Sequence, residues 1–180
     1  MYFVRKEKKA MVFRDAIERF KRNDYGDFDE FYAQTHKQIF FTALAILRDK
    51  EGAEDVLQDT YTTFLERIDE VNPKANIFGY LTVIARNKSL NVIKKEGRLV
   101  RGEEVMATLS YESDFYDDGI EQILRHLPLQ EDREIITYHV ILGYTFLEIS
   151  KILGKPLGTI LWRYNKAIKL LKEKLKGYDK

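Results

Sequence analysis

Residues 145–171 read TFLEISKILGKPLGTILWRYNKAIKLL, and this stretch decides the architecture of the chain. Thr145 to Glu148 has the form of a capping box: the threonine hydroxyl accepts from the third helical amide, and the glutamate reaches back to the cap amide. The short helix opened in this way runs to Leu153 and ends at Gly154, the residue type that closes helices in the left-handed conformation. Pro156 then leads into a long helix with Ile160, Tyr164, Ala167, Ile168, Leu171 and Leu175 on its apolar seam, ending near Gly177. A short capped helix, a glycine turn and a long basic helix make the helix-turn-helix pattern. Arg163, Lys166, Lys169 and Lys172 recur every three residues off that seam. They form a cationic ridge suited to a major groove or to phosphates, or a solvated helix face.

Upstream, almost every segment carries the same helical period. Residues 131–142 place Ile135, Ile136, Val140 and Leu142 on one helix that stops at Gly143. From Ala53, the positions Val56, Leu57, Thr60, Tyr61, Phe64, Leu65 and Ile68 form one buried stripe, leaving Asp55, Gln58, Asp59, Thr62 and Glu66 on the opposite face. A helix of about 20 residues runs from a cap near Asp29 through Phe31, Ile39, Ala43 and Ile46. Another follows Asn72-Pro73, capped by Asn76, with Ile77, Leu81, Ile84, Ala85, Lys88 and Val92 along one side, and residues 11–22 make a shorter one through Phe13, Ile17 and Phe20. The expected fold is all-α. It comprises an amino-terminal bundle of three or four helices over residues 1–98 and a carboxy-terminal helix-turn-helix domain over 121–180. Between them, residues 99–120 have no sustained period and are acidic, which reads as a flexible linker able to let the halves separate widely. Its 22 residues extend to roughly 70 Å, the length of two turns of B-DNA.

Charge supports two surfaces of one sign. The 180 residues hold 30 Lys and Arg against 29 Asp and Glu, yet the balance is segmental. Residues 1–22, 74–101 and 128–180 carry net charges of +5, +6 and +4, whereas 49–70 and 102–121 carry −6 and −7. Basic blocks separated by acidic ones suit a chain that meets a polyanion at two places. With no cysteine in the chain, disulfides, thiolate metal sites and cysteine nucleophiles are excluded. No run of 18 apolar residues occurs and the first ten residues lack a signal core, so the expectation is a cytoplasmic protein without membrane insertion. No phosphate-binding glycine loop, nucleophile elbow or zinc-protease motif is present, and His36, His126 and His139 are scattered. Tyr116 stands where a calcium loop over 112–118 needs a ligand. Catalysis, cofactors and metals are therefore not expected.

Three segments together resemble the extracytoplasmic-function sigma factors, the small two-domain members of the bacterial sigma superfamily. They are GAEDVLQDTYTTFLERI at 52–68, FGYLTVIARNKSLNVIKK at 78–95 and LPLQEDREIITYHVILGYTFLEISKILGKPLGTILWRYNKAIKLL at 127–171. The resemblance implies that Asp55, Gln58 and Asp59 dock on bacterial core RNA polymerase. It implies that Arg86, Asn87, Lys88, Asn91, Lys94 and Lys95 contact the opened strand of the minus-ten promoter element, with an unstacked base captured by the loop from Val71 to Asn76. It also implies that Thr159, Trp162, Arg163, Asn165 and Lys166 read duplex DNA at the minus-thirty-five element, and it leaves open an anti-sigma factor as a further partner. Four positions depart from the family pattern. Tyr80 replaces a tryptophan, Asn91 stands where aspartate is common, and Leu161-Trp162 stands where Lys-Ser is common. Trp162 either packs on thymine methyls, sits against another protein or is buried in its own domain. Phe78 and Tyr80 read as core aromatics. A helix-turn-helix regulator that dimerises on a symmetric site, or a helical protein-interaction module without DNA binding, are the competing readings of the same pattern.

Overall fold

The helix α2, Phe28–Leu47, buries nearly every residue from Gln38 to Ile46, and the remaining elements are arranged to cover it. The run from Ile39 to Leu47 is apolar but for Thr42, whose hydroxyl donates back to Gln38 O, so no orientation of this helix leaves a face suited to water. The computed structural model describes residues 13–99 and 118–175. The basic tail before Phe13, most of the linker and the end of the last helix near Gly177 lie outside the described residues.

Along the chain the other elements are α1 (residues 13–20), α3 (Lys50–Glu66), a single tight turn at Ile68–Glu70, α4 (Ile77–Leu99), α5 (Asp118–Arg125), α6 (Gln130–Ile136), α7 (Phe146–Leu153) and α8 (Leu157–Leu175). No strand occurs among the described residues, and the fold is all-α. Elements α1 to α4 form one bundle. Its centre is aromatic: Phe31 stacks on Phe64 at 5.2 Å and meets Phe20 and Phe13 edge-on at 5.4 and 5.6 Å. Each of these rings is buried, and a fully buried phenylalanine contributes roughly 2–3 kcal/mol. Phe78 and Tyr80 pack against the same core, as their helical spacing indicates.

Local chemistry sets the helix starts. Helix α2 begins one residue before the cap expected at Asp29; Asp27 holds the cap position without a side-chain bond, and Asp29 sits in the first turn, where a carboxylate meets the positive end of the helix. Helix α3 starts at Lys50, ahead of its apolar stripe, because Asp49 accepts the Gly52 N–H at 2.7 Å. Asn76 accepts the Gly79 N–H at 3.2 Å and opens α4 as expected. Helix α5 starts at Asp118, inside the stretch assigned to the linker.

The expected helix over 131–142 is two elements. Helix α6 gives way to a wide turn at Thr137–Ile141, in which the Leu142 N–H bonds Thr137 O at 3.0 Å. Gly143 then adopts a left-handed φ of 72°, and the Tyr144 N–H returns to Tyr138 O at 2.8 Å. The capping box at Thr145 and Glu148 is complete, and Gly154 ends α7 with φ 62°. Helices α7 and α8 and the intervening turn have the helix-turn-helix form, with Ile160, Ala167 and Leu171 buried along α8.

The two halves are in contact. Ala45 of α2 belongs to the same buried cluster as Leu124, Leu127, Ile136, Ala167 and Leu171. Arg133 of α6 spans the junction: Nε donates to Ala45 O at 2.8 Å, and Nη1 donates to Leu127 O and Pro128 O at 2.9 Å. Burial, followed by repulsion from Arg48, holds the Arg133 guanidinium below its ordinary value. The free separation expected from the linker is thus not the state seen here, because α2 offers a second apolar side that α6 and α8 cover.

Arg133→Ala orphans three carbonyls at once and is expected to cost roughly 3 kcal/mol, read as a lower midpoint in urea unfolding followed by circular dichroism. An unchanged midpoint rejects Arg133 as the fastener of this junction.

Candidate nucleic-acid and polymerase interface

Helices α3 and α4 lie side by side and each turns a polar face outward. On α3, the stripe of Ala53, Val56, Leu57, Thr60, Tyr61 and Phe64 is buried, which forces Asp55, Gln58 and Asp59 into solvent. All three polymerase-docking candidates are therefore together on one exposed face. Helix α4 buries Ile77, Leu81, Thr82, Ala85 and Ser89, leaving Asn87, Asn91, Lys94 and Lys95 exposed. The two sets meet at one point, where Lys88 Nζ approaches Asp59 Oδ2 at 3.6 Å. Asp59 remains 71% exposed, so this pair contributes little to stability.

Arg86 is the exception among the minus-ten candidates. Its side chain is only 21% exposed, and Nε donates to Glu134 Oε2 of α6 at 2.6 Å. Glu134 is fully buried; Gln130 Nε2 donates to its Oε1 at 2.7 Å and the Tyr138 hydroxyl to its Oε2 at 3.3 Å. Beside this pair, Gln38 Nε2 donates to Thr82 Oγ1 at 3.0 Å and to the Tyr144 hydroxyl, which is itself 2.8 Å from Thr82 Oγ1. A polar cluster from α2, α4, α6 and the segment before α7 therefore lines the junction of the halves. Burial, with Glu134 alongside, raises the Tyr138 phenol well above its ordinary value, and burial does the same for Tyr144.

The loop before α4 is shaped by its own side chain. Asn72 Oδ1 accepts the Lys74 N–H at 2.9 Å, the Ala75 N–H bonds Asn72 O at 2.9 Å, and Val71 anchors the loop in the core.

On α8 the minus-thirty-five candidates divide. Trp162, Asn165 and Lys166 are exposed and Thr159 is half-buried. Trp162 is 59% exposed, with Lys166 Nζ 5.2 Å from its ring centroid, so burial in its own domain is excluded. Arg163 instead faces inward: Nη1 meets Asp132 Oδ1 at 2.8 Å and Nε meets Glu131 Oε2 at 2.9 Å. The cationic ridge read from spacing thus loses its first member to α6. Spacing along one helix cannot disclose that acidic partner, and the same is true of Glu134 beside Arg86. No group of three His, Asp or Glu suited to a metal occurs among the described residues. No helix there is long and apolar enough to cross a membrane.

The described residues thus make an all-helical bundle with an acidic face beside a basic one, followed by a helix-turn-helix. Residues 31–99 match the Sigma-70 region 2 family. The chain is 24% identical over 148 residues to the RNA polymerase sigma factor SigV of Bacillus subtilis, covering 80% of this chain and 89% of that one. It is 23% identical over 165 residues to the RNA polymerase sigma factor CarQ of Myxococcus xanthus, covering 88% and 95%. Among solved structures, sigma factor RpoE of Bartonella quintana, in complex with the anti-sigma factor NepR, superposes with a TM-score of 0.72 at 24% identity. That match covers 83% of this chain and 97% of that one. CnrH in complex with the cytosolic domain of CnrY gives 0.67 at 17% identity, covering 93% and 99%. Residues 31–99 thus carry a Sigma-70 region 2 domain, and over most of its length the chain is similar to RNA polymerase sigma factors.

Two outcomes follow from this geometry. Both buried phenols have folded pKa values above the unfolded value of about 10. Their neutral forms therefore stabilise the fold fully below that pH, and this contribution is lost as pH rises toward the folded values. Between about pH 8.5 and about pH 11 the urea midpoint of the wild type should fall further than that of Tyr138→Phe/Tyr144→Phe; equal falls exclude the phenols as the cause. Trp162, the one tryptophan of the chain, should emit as a hydrated indole open to acrylamide quenching, and Trp162→Ser should leave stability within about 0.5 kcal/mol. A blue-shifted, protected emission contradicts the exposure described.

Proposed function

We propose that the chain acts as a dissociable promoter-specificity subunit: α3 docks on core RNA polymerase, α4 holds the opened minus-ten strand, and α8 anchors upstream duplex. The observation that carries this reading is the adjacency of the exposed set Asp55, Gln58 and Asp59 to the exposed set Asn87, Asn91, Lys94 and Lys95 within the region 2 match. Carboxylates on an exposed helix accept bidentate bonds from a partner's arginines, and a basic polar stripe tracks a single-stranded backbone. The role is binding rather than catalysis, because a sigma factor directs initiation and the polymerase performs the chemistry.

The division into 1–98, a linker at 99–120 and 121–180 is the working domain scheme. In it the second domain reads the minus-thirty-five element through Thr159, Trp162, Asn165 and Lys166. With Leu161 and Trp162 exposed in its second turn, α8 suits thymine methyls better than guanine. The Bartonella quintana relative, solved with its anti-sigma factor, supports an anti-sigma protein as a further partner, and the cytoplasm as the place of action follows from the polymerase.

Run-off transcription with purified core polymerase tests the docking face. Asp55→Ala/Gln58→Ala should stay folded and lose at least about tenfold in transcript, a loss of about 1.4 kcal/mol in recruitment. A folded double variant that recruits polymerase normally rejects α3 as the docking helix. Duplex shift by the chain alone, without polymerase, would favour an ordinary helix-turn-helix regulator instead.

A further inference from the structure

Arg86 of α4 and Glu134 of α6 make an ion pair across the junction of the halves. Glu134 is a carboxylate with no exposure, and besides Arg86 its donors are the neutral side chains Gln130 and Tyr138. Arg86 belongs to the helix whose next residues outward, Asn87, Asn91, Lys94 and Lys95, are exposed and polar. A guanidinium that serves a phosphate serves a carboxylate by the same charge-assisted bond, at the same short distance. The contact at 2.6 Å has that form.

We infer that Glu134 stands in for a promoter phosphate on Arg86, so that docking of the carboxy-terminal half and capture of the opened strand compete for one guanidinium. This rests on the proposed role of α4. With its side chain only 21% exposed and Nε held by Glu134, Arg86 is withheld from DNA while the halves stay docked; stripped of that bonded cation, the buried carboxylate keeps two neutral hydrogen-bond donors and the through-space pull of Arg133. Glu134 must reach water first, and that requires the seam to open. The rest of the seam then parts with it: Tyr144 from Gln38 and Thr82, and Arg133 from Ala45 O. Competition of this kind is reciprocal: a strand bound on α4 disfavours docking by the same factor that docking disfavours the strand. The free chain therefore binds single-stranded DNA with an affinity reduced by the fraction of molecules that are open.

The experiment uses the full chain and a fluorescent, random-sequence single-stranded DNA of about 20 nucleotides, read by anisotropy across a salt series. Glu134→Gln keeps the shape and removes the charge. Tyr144→Phe loosens the seam without touching Arg86 and covers the case in which the first variant fails to fold. Each open variant should show a larger radius of gyration by X-ray scattering and bind the probe about tenfold more tightly, within the usual range of a coupling between sites. The salt slope should steepen by about one phosphate contact. Adding Arg86→Ala to Glu134→Gln should abolish the gain. If the variants expand without a gain in affinity, if the wild type is already as expanded as they are, or if the gain survives loss of Arg86, the competition is refuted. Failure of the underlying reading is seen separately: in polymerase-dependent run-off transcription, Arg86→Ala then leaves the transcript unchanged.

Discussion

The constraint on which the structure depends is the circumference of α2. A helix that is apolar on one stripe can rest on the surface of a bundle, but from Ile39 to Leu47 this helix has no side that water tolerates. Helices α3 and α4 cover one part of it with the aromatic core around Phe31 and Phe64. The remainder, including Ala45, is covered by Leu124, Leu127 and Ile136 together with Ala167 and Leu171 of α8. Burying α2 in this way brings polar backbone and side chains into the junction, and each must find a partner. Arg133 supplies three donors to carbonyls that α2 and the α5–α6 connection would otherwise leave unpaired.

Several basic side chains on α4 and α8 are held by internal acidic partners. Three of the cations read as DNA contacts are engaged: Arg86 by Glu134, Arg163 by Glu131 and Asp132, and Lys88 loosely by Asp59. The depth of burial ranks these pairs. The Lys88–Asp59 pair sits in water and yields at little cost, whereas Arg86 is the cation hydrogen-bonded to a fully buried carboxylate, which Arg133 reaches only through space. Helix α6 thus supplies acidic side chains to both basic helices, through Glu134 toward α4 and through Glu131 and Asp132 toward α8. In a chain of nearly balanced charge, neutrality is therefore partly local and not only an average over distant segments.

Much of the fold was legible in the sequence because helix signals are local. The capping box at Thr145, the glycine at 154 and the stripe from Ala53 to Ile68 each declare themselves within a few residues, since caps and amphipathic faces act over one or two turns. The exposed polar face of α3 was legible for the same reason: if Val56, Leu57, Tyr61 and Phe64 face inward, Asp55, Gln58 and Asp59 face outward. The wide turn at Thr137–Ile141 was not legible, because Val140 and Leu142 fit a continuous helix by period and only the return of the Tyr144 N–H to Tyr138 O departs from it. The contact between halves did have a signal, the all-round apolar run in α2, but period-based reading of that helix picks out one face and passes over the other.

The sequence by itself determined the all-α class, the capped helix ends at Asn76, Thr145 and Gly154, and the outward faces of α3 and α4, because backbone capping and side-chain periodicity depend on neighbours in the chain. Only the tertiary structure decided which of the basic side chains are available. Arg86 and Glu134 are 48 residues apart, and Arg163 and Asp132 are 31 apart. The availability of a charged group depends on what is brought against it and on how much water is left there, and both are set by packing between distant segments.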